Sequence, residues 1–438
     1  NPHRAAMRDL LVAFIVFGSL PFIIKRPFWG IVMLAGLGYM NPHRLCYGFM
    51  LEMPVVQIVA IVTLLGMLIS QEEKRFVWSR EVGILLLFVA WMGVTTTQAV
   101  YRDLAVQQLE KVVKIQILTF MTLLMLTSRE RVHILVWTIV ASLGFYGIKG
   151  GIFTIIHGGV HRVQGPLGTF IGGNNEMALA LVMTIPLMRY LQLNESNWWI
   201  RRFLAAAMLL SAIAAVGSQS RGALVALVIT GSYFWWKSRN KIGTAMLLAF
   251  VVLGVFIIMP PEWYARMNTI NTYQEDASAL GRINAWWTAW NVANSRPFGA
   301  GFEMWHSYVF DLYSPDPRNV RDAHSIYFKV LGEHGWVGLA LFMMLLTATW
   351  LKCGATRRIA KKQPDASWAR DLSAMIQVSL IGYMSAGAFL GLSYFDYVYH
   401  LIAIVVVVHH LVTASARGPQ AAQSRPEALS LFGALKRA

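Results

Sequence analysis

The chain has 438 residues, of which 56% are hydrophobic and 14% charged, with a mean hydropathy of +0.51. That balance leaves too little polar surface for a soluble globular protein of this length. It points to an all-α integral membrane protein, because a helix satisfies its own backbone hydrogen bonds in lipid.

The formal net charge of +16 does not imply nucleic acid. Many of the Lys and Arg residues fall in short linkers between apolar runs, as the positive-inside rule expects. Met7, followed by Arg8, Asp9 and an apolar run, looks like a natural start, and no cleavable signal peptide is recognisable. Apolar runs then span 10–24, 28–40, 54–70, 82–99, 112–127, 131–149, 176–193, 202–218, 221–237, 241–259, 324–351, 372–391 and 394–413. The first two are short and broken by Lys25, Arg26 and Pro27. One interrupted span, or a pair that does not cross fully, is expected there, giving about 12 crossings in all.

The linkers at 71–80, 127–131, 236–241 and 352–363 are rich in Lys and Arg and read as cytoplasmic. Segments 101–111, 150–175 and 260–323 then fall on the other side. The chain divides into N-terminal membrane helices (1–259), a long outer loop with an interfacial helix (260–323), C-terminal membrane helices (324–413) and a cytoplasmic tail (414–438) expected to be mobile.

The outer segments carry the polar chemistry. "GIKGG" at 147–151, with Lys149, and "RVQGPLGTFIGGNNEMAL" at 162–179, with Arg162 and Gln164, are glycine-rich, so backbone amides there can approach a ligand closely. Asn174 and Asn175 are either ligand contacts or ordinary helix-start residues, and Glu176 with them precedes an apolar run as helix-start chemistry does. "SQSRGAL" at 218–224 is a short turn whose Arg221 opens a helix. A cation there opposes the helix macrodipole, whereas a bound anion would satisfy both the arginine and the free amides; the other reading is a snorkelling arginine.

In the long loop, "LGRINAWWTAWN" at 280–291 spaces Trp286, Trp287 and Trp290 for a helix lying on the membrane surface, an aromatic belt without chemistry. Arg266, Arg282, Arg296, Arg318 and Arg321 lie in this loop, which contains no lysine. Guanidinium is the better group for phosphate oxygens. Asp396, in "SYFDYVYH" at 393–400, is an acid in an apolar run, placed either to orient an arginine or histidine or to partner Tyr or His400. Cys46 and Cys353 fall in distant segments and form no disulfide framework or metal motif.

"HSIYFKVLGEHGWVG" at 324–338 opens the span after the long loop. From His324 to Leu351 is 28 residues, about 42 Å of helix against a hydrocarbon layer of about 30 Å. His324 is therefore expected at the wet outer mouth, where a neutral imidazole can take a proton from a hydroxyl. Glu333 and His334, deeper, read as structural.

This stretch fits the pattern His-[Asn/Ser/Gln], nine residues, Gly, two residues, Gly, and resembles the O-antigen ligases of the Wzy/WaaL superfamily. "SQSRGAL" is similar to the family's arginine landmark, and 38–66 resembles a subgroup of O-glycosylation ligases associated with exosortase systems. The resemblance implies a GT-C-type glycosyltransferase in the bacterial inner membrane with its site facing the periplasm. The donor would be a glycan on undecaprenyl diphosphate and the acceptor a sugar of the lipid A core, with no metal, cofactor or nucleic acid. The family's basic residues carry over to Arg221, Arg282 and His324. Arg162, Arg321, Lys149, Gln164, Asn175 and Asp396 are the remaining substrate-binding candidates. An O-antigen polymerase or a protein O-oligosaccharyltransferase would share the donor chemistry. A transporter is disfavoured, since no inverted repeat or pair of broken helices is evident.

Overall fold

The computed structural model describes residues 2–237, 241–268 and 277–416, all helix and connection without a strand among them. Part of the 236–241 linker, and the expected tail from 417 onward, lie outside the described residues. The helices are α1 (Pro2–Lys25), α2 (Phe28–Tyr39), α3 (Val55–Ile69), α4 (Arg80–Thr97), α5 (Arg102–Met125), α6 (Arg129–Ile156), α7 (Asn174–Asn194) and α8 (Trp198–Gly217). They continue as α9 (Arg221–Lys237), α10 (Lys241–Ile258), α11 (Pro261–Asn268), α12 (Ala277–Ser295), α13 (Ser307–Tyr313), α14 (Ile326–Ala360), α15 (Ser367–Gly387) and α16 (Asp396–Ala416). Among the described residues 7 helices are long and apolar enough to cross a membrane, α14 and α16 included, and the apolar α2 and α3 are shorter.

At the N-terminus the chain breaks at residues 25–27, where an interrupted span or an incompletely crossing pair was expected. Lys25 ends α1 and Phe28 starts α2, so the two are separate helices. Pro27 removes a backbone donor at the junction. α2 has 12 residues, about 18 Å of helix, which is short of a full hydrocarbon layer.

The connections sort to two ends. At one, Arg131 pairs with Glu72 at 2.5 Å, the Phe28 amide donates to Glu72, the Arg75 amide donates to the Leu124 carbonyl, and Arg129 lies over Trp368. This end gathers the basic linkers. At the other, the Val163 amide donates to the Gly217 carbonyl, Asn174 to the Ser218 carbonyl at 2.9 Å, and the Val100 amide to the Ala300 carbonyl.

Between the ends the bundle is packed tightly where glycine allows it. A Cβ at Gly147 would collide with Ser211, and one at Gly151 with the Leu210 backbone, so α6 and α8 lie nearly backbone to backbone. α7 and α16 are the most enclosed, with Met177–Met183 and Tyr397–Val408 buried throughout. A helix apolar on every side belongs inside such a bundle.

The expected continuous helix from His324 is corrected, twice. Ser325 is the N-cap and helix begins at Ile326. Within α14, Gly335 has a φ of 67° and breaks the helix. The break strips the carbonyls of 332–334 of their in-helix donors. The Ala300 amide takes the Gly332 carbonyl at 2.9 Å, the Gly301 amide takes the Glu333 carbonyl at 3.0 Å, and Trp91 Nε1 takes the His334 carbonyl at 2.9 Å. The long loop is thereby inserted into the notch of α14, and a Cβ at Gly335 would lie 2.5 Å from the Pro297 carbonyl.

The long loop holds α11, α12 and α13 rather than one surface helix. α12 turns Gly281, Ala285, Thr288, Ala289 and Val292 inward. Its Trp287 and Trp290 are exposed, as the belt reading requires, but Trp286 is not a belt residue. Its ring stacks on Phe328 of α14 at 5.0 Å, and Nε1 donates to the Ala323 carbonyl at 2.8 Å.

Candidate functional site

The backbone around His324 is held from several sides. Trp286 fixes the Ala323 carbonyl, the Lys329 amide closes the first turn on the Ser325 carbonyl at 2.9 Å, and Ser393 Oγ donates to the Ile326 carbonyl at 3.1 Å. His324 itself has a φ of 44°. Left-handed backbone is uncommon outside glycine and persists only where the surroundings impose it.

His324 is half-buried. Burial lowers its pKa below the usual histidine value; Asp322 acts the other way, Arg282 lowers it, Glu176 raises it and Lys329 lowers it. Charges from four elements thus act on the imidazole: the end of the long loop, α12, the start of α7 and the first turns of α14. The chemical outcome is an imidazole kept neutral at neutral pH, as a proton acceptor requires.

Arg282 is half-buried on α12 beside Gly281. Arg321 crosses directly over that glycine, its Cδ 2.5 Å from where a Cβ would stand, and its Nε donates to Asn319 Oδ1 at 3.2 Å. Asn284, one turn further along α12, donates to the carbonyls of Asp316 and Asn319 at 2.8 and 3.2 Å and accepts from Ser314. The 314–321 segment is therefore strapped to α12, which brings two guanidinium groups onto neighbouring positions.

Arg221 starts α9. Its neighbour Gly222 packs on Phe389, Gly387 packs on Ile326, and Gly391 packs on Asp322. The stretch 387–391 thus touches both the Arg221 turn and the His324 segment. The Asn174 bond to the Ser218 carbonyl ties the same turn to α7, whose Glu176 faces His324. Asn175 sits half-buried in the first turn of α7. Arg162 is exposed and donates to Gln219 Oε1 at 3.3 Å, next to this turn.

The other candidates stand further out. Gln164 is exposed, with no side-chain hydrogen bond to a described residue, and Lys149 is exposed on α6. The Asp396 carboxylate lies 3.3 Å from a Cβ built on Gly38, in a cluster with Tyr39, Tyr397 and His400. It is not among the charges that bear on His324. Its surroundings are those of the tyrosine and histidine reading.

Glu333 and His334 form a separate polar thread below His324. Glu333 Oε2 accepts from Tyr394 at 2.6 Å and Oε1 from Trp305 Nε1 at 3.2 Å. His334 reaches Tyr394 through Nε2 at 2.9 Å and Thr95 through Nδ1 at 2.7 Å. Both residues are fully buried with their hydrogen bonds taken, which suits a structural role.

Sequence reasoning missed Asp322 and Lys329 and read Glu176 only as helix-start chemistry. A usable signal was Lys329 itself: a lysine in the opening turns of an apolar helix needs an acid partner. Among the described residues no group of three or more His, Cys, Asp or Glu side chains is arranged to hold a metal ion.

Residues 206–343 match the family described as O-antigen ligase, and residues 7–196 match a family of unknown function. The first match contains Arg221, Arg282, His324 and the break at Gly335. No curated protein matches the chain.

Proposed function

We propose, from the match of residues 206–343 to the O-antigen ligase family, that the chain moves a glycan from undecaprenyl diphosphate to a sugar hydroxyl of the lipid A core. The reaction runs at the periplasmic face of the inner membrane, on a GT-C-type helical scaffold. The observation that carries this reading is the strained, half-buried His324, facing Arg282 and supported by residues of four elements.

His324 removes the proton from the acceptor hydroxyl. The acceptor oxygen bonds to the anomeric carbon as the bond from that carbon to the phosphate oxygen breaks. The electron pair leaves on the diphosphate, and a single displacement inverts the anomeric centre. Arg282, and Arg221 at the amide-rich start of α9, hold the diphosphate and stabilise the charge it gains. Arg321, Arg162, Lys149, Gln164 and Asn175 are further contacts to the two substrates, and Asp396 supports the wall behind them. Diphosphate is a good leaving group, so the reaction needs no separate acid and no bound metal.

The test is purified protein in lipid nanodiscs with lipid-linked donor and, in separate reactions, lipid A-core, a second lipid-linked glycan, or a Ser/Thr acceptor protein. Glycan on lipid A-core is the expected product. A lengthened lipid-linked glycan would make the enzyme a polymerase, and a glycoprotein would make it a protein oligosaccharyltransferase. No transfer to any acceptor, with ion-driven donor movement across vesicles, would overturn the transferase reading.

A further inference from the structure

Lys329 is buried at the mouth of α14, with Asp322 on one side and Glu333 on the other. Its Nζ lies 3.5 Å from Asp322 Oδ2 and 3.9 Å from Glu333 Oε1. Glu333 spends its oxygens on Tyr394, Trp305 and the Glu303 amide. Asp322 is less fully engaged. Its Oδ2 faces Lys329 and the Gly391 backbone, while Oδ1 is buried and has no hydrogen-bond partner. A buried carboxylate oxygen without a donor is costly, so a native structure that keeps one calls for an explanation.

The segment itself supplies one. Asp322 stands two residues before His324, and the Ala323 carbonyl between them is fixed by Trp286. The left-handed φ of His324 bends the chain at that point. Asp322 is also the strongest of the charges acting on the imidazole.

We infer that Asp322 is the positioning residue of His324: its unengaged Oδ1 receives the imidazole N–H remote from the acceptor, while Lys329 anchors Oδ2. The inference rests on the reading of His324 as base. As His324 takes the acceptor proton at one ring nitrogen, the other nitrogen keeps its proton and strengthens its bond to Asp322. The carboxylate stays ionised, because Lys329 neutralises it. The proton taken from the acceptor leaves to water after the product departs. Lys329 thus sets the tautomer at a distance, which explains why a lysine is buried there at all.

The charged groups that face His324 are Asp322, Arg282, Glu176 and Lys329. Removing Asp322 withdraws a negative neighbour and removing Lys329 withdraws a positive one, so the two changes act with opposite signs. In Asp322→Asn the ascending limb of the pH–rate profile should move down by about one pH unit, and in Lys329→Gln it should move up. Asp322→Glu should restore most of the rate, and the double variant should return the limb toward its starting position.

Histidine NMR of the full chain in nanodiscs, with the His324 signal assigned by its loss in His324→Ala, reads the same titration without any turnover. A His324 signal unmoved in Asp322→Asn, or moved the same way in Asp322→Asn and Lys329→Gln, would overturn the inference. Should Lys329→Gln fail to fold, the Asp322→Asn and Asp322→Glu arms decide. Should His324→Ala transfer glycan normally, the base reading fails, and the NMR titration still tells whether Asp322 holds the ring.

Discussion

The two ends of α14 each bury a lysine against carboxylates, and they do it differently. At the basic end, Lys352 Nζ meets Glu81 Oε2 at 2.7 Å with the acid 0% exposed. Next to it Arg357 donates to Gln377 Oε1 at 2.9 Å, and Thr356 bonds His409 Nδ1 at 2.9 Å. At the other end Lys329 is shared between two acids at 3.5 and 3.9 Å, beside a strained histidine and a guanidinium. The first arrangement is a contact ion pair of Lys352 with a buried carboxylate whose other oxygen meets the exposed Arg80 at 3.4 Å. The second leaves charge unsatisfied where a substrate can use it. Tight pairing makes structure, and loose pairing among many charges makes a site that can respond to an anion or a proton.

The largest effect should separate the two histidines of α14 and its approach. His324→Ala should lose about 10²–10⁴ in single-turnover transfer and bind lipid-linked donor almost normally. His334→Ala should instead lose stability, because Thr95 and Tyr394, which keep the Met92 carbonyl and Glu333, each lose their bond to the imidazole, at about 0.5–1.5 kcal/mol per bond. Donor binding, transfer and thermal unfolding of both variants check this. A well-folded but inactive His334→Ala beside an active His324→Ala would reverse the assignment.

The matching change at the closed end is Lys352→Met. Removing one partner of a buried pair should cost about 3–5 kcal/mol of stability, with transfer per folded molecule unchanged. Loss of turnover at an unchanged melting temperature would mean that the basic end takes part in the chemistry and that the contrast between the ends is false. Arg282→Lys should be milder. It keeps the charge and loses the planar fork, so about 1.5–3 kcal/mol of charge-assisted hydrogen bonding to diphosphate is at stake. Donor affinity measured against a phosphate-free lipid glycan reports this loss. Equal weakening for both ligands would remove Arg282 from the diphosphate.

Much of this contrast was legible in the chain. Each apolar run corresponds to a helix, because hydropathy and length act locally and a bilayer admits little else. His324, Arg282 and Arg221 were legible as candidates, because their residue types and motif spacing survive without a fold. What was not legible depends on contacts between distant segments. Gly335 reads as a small packing residue, and only the inserted 300–301 amides reveal a break. Trp286 reads as one of three belt tryptophans, and only Phe328 and the Ala323 carbonyl set it apart. Lys329 and Asp322 are seven residues apart and become a pair only once the break before Ile326 folds the loop back on the helix.

The smallest expected effect tests how the open end answers an anion. With His324 proposed as the base, transfer needs the neutral imidazole, so the rate should rise with pH through its pKa and fall away below it. Burial holds that pKa below the ordinary value, and the four neighbouring charges act on it in opposing pairs. The kcat/KM profile, which reports the free enzyme, should therefore have its ascending midpoint below about 6.5. Bound diphosphate adds negative charge beside Arg282 and stabilises the imidazolium, so the kcat profile, which reports the complex, should have its midpoint displaced upward. Profiles of kcat and kcat/KM with coincident midpoints would mean that the diphosphate does not sit within reach of His324, and the arginines would then have to hold it elsewhere.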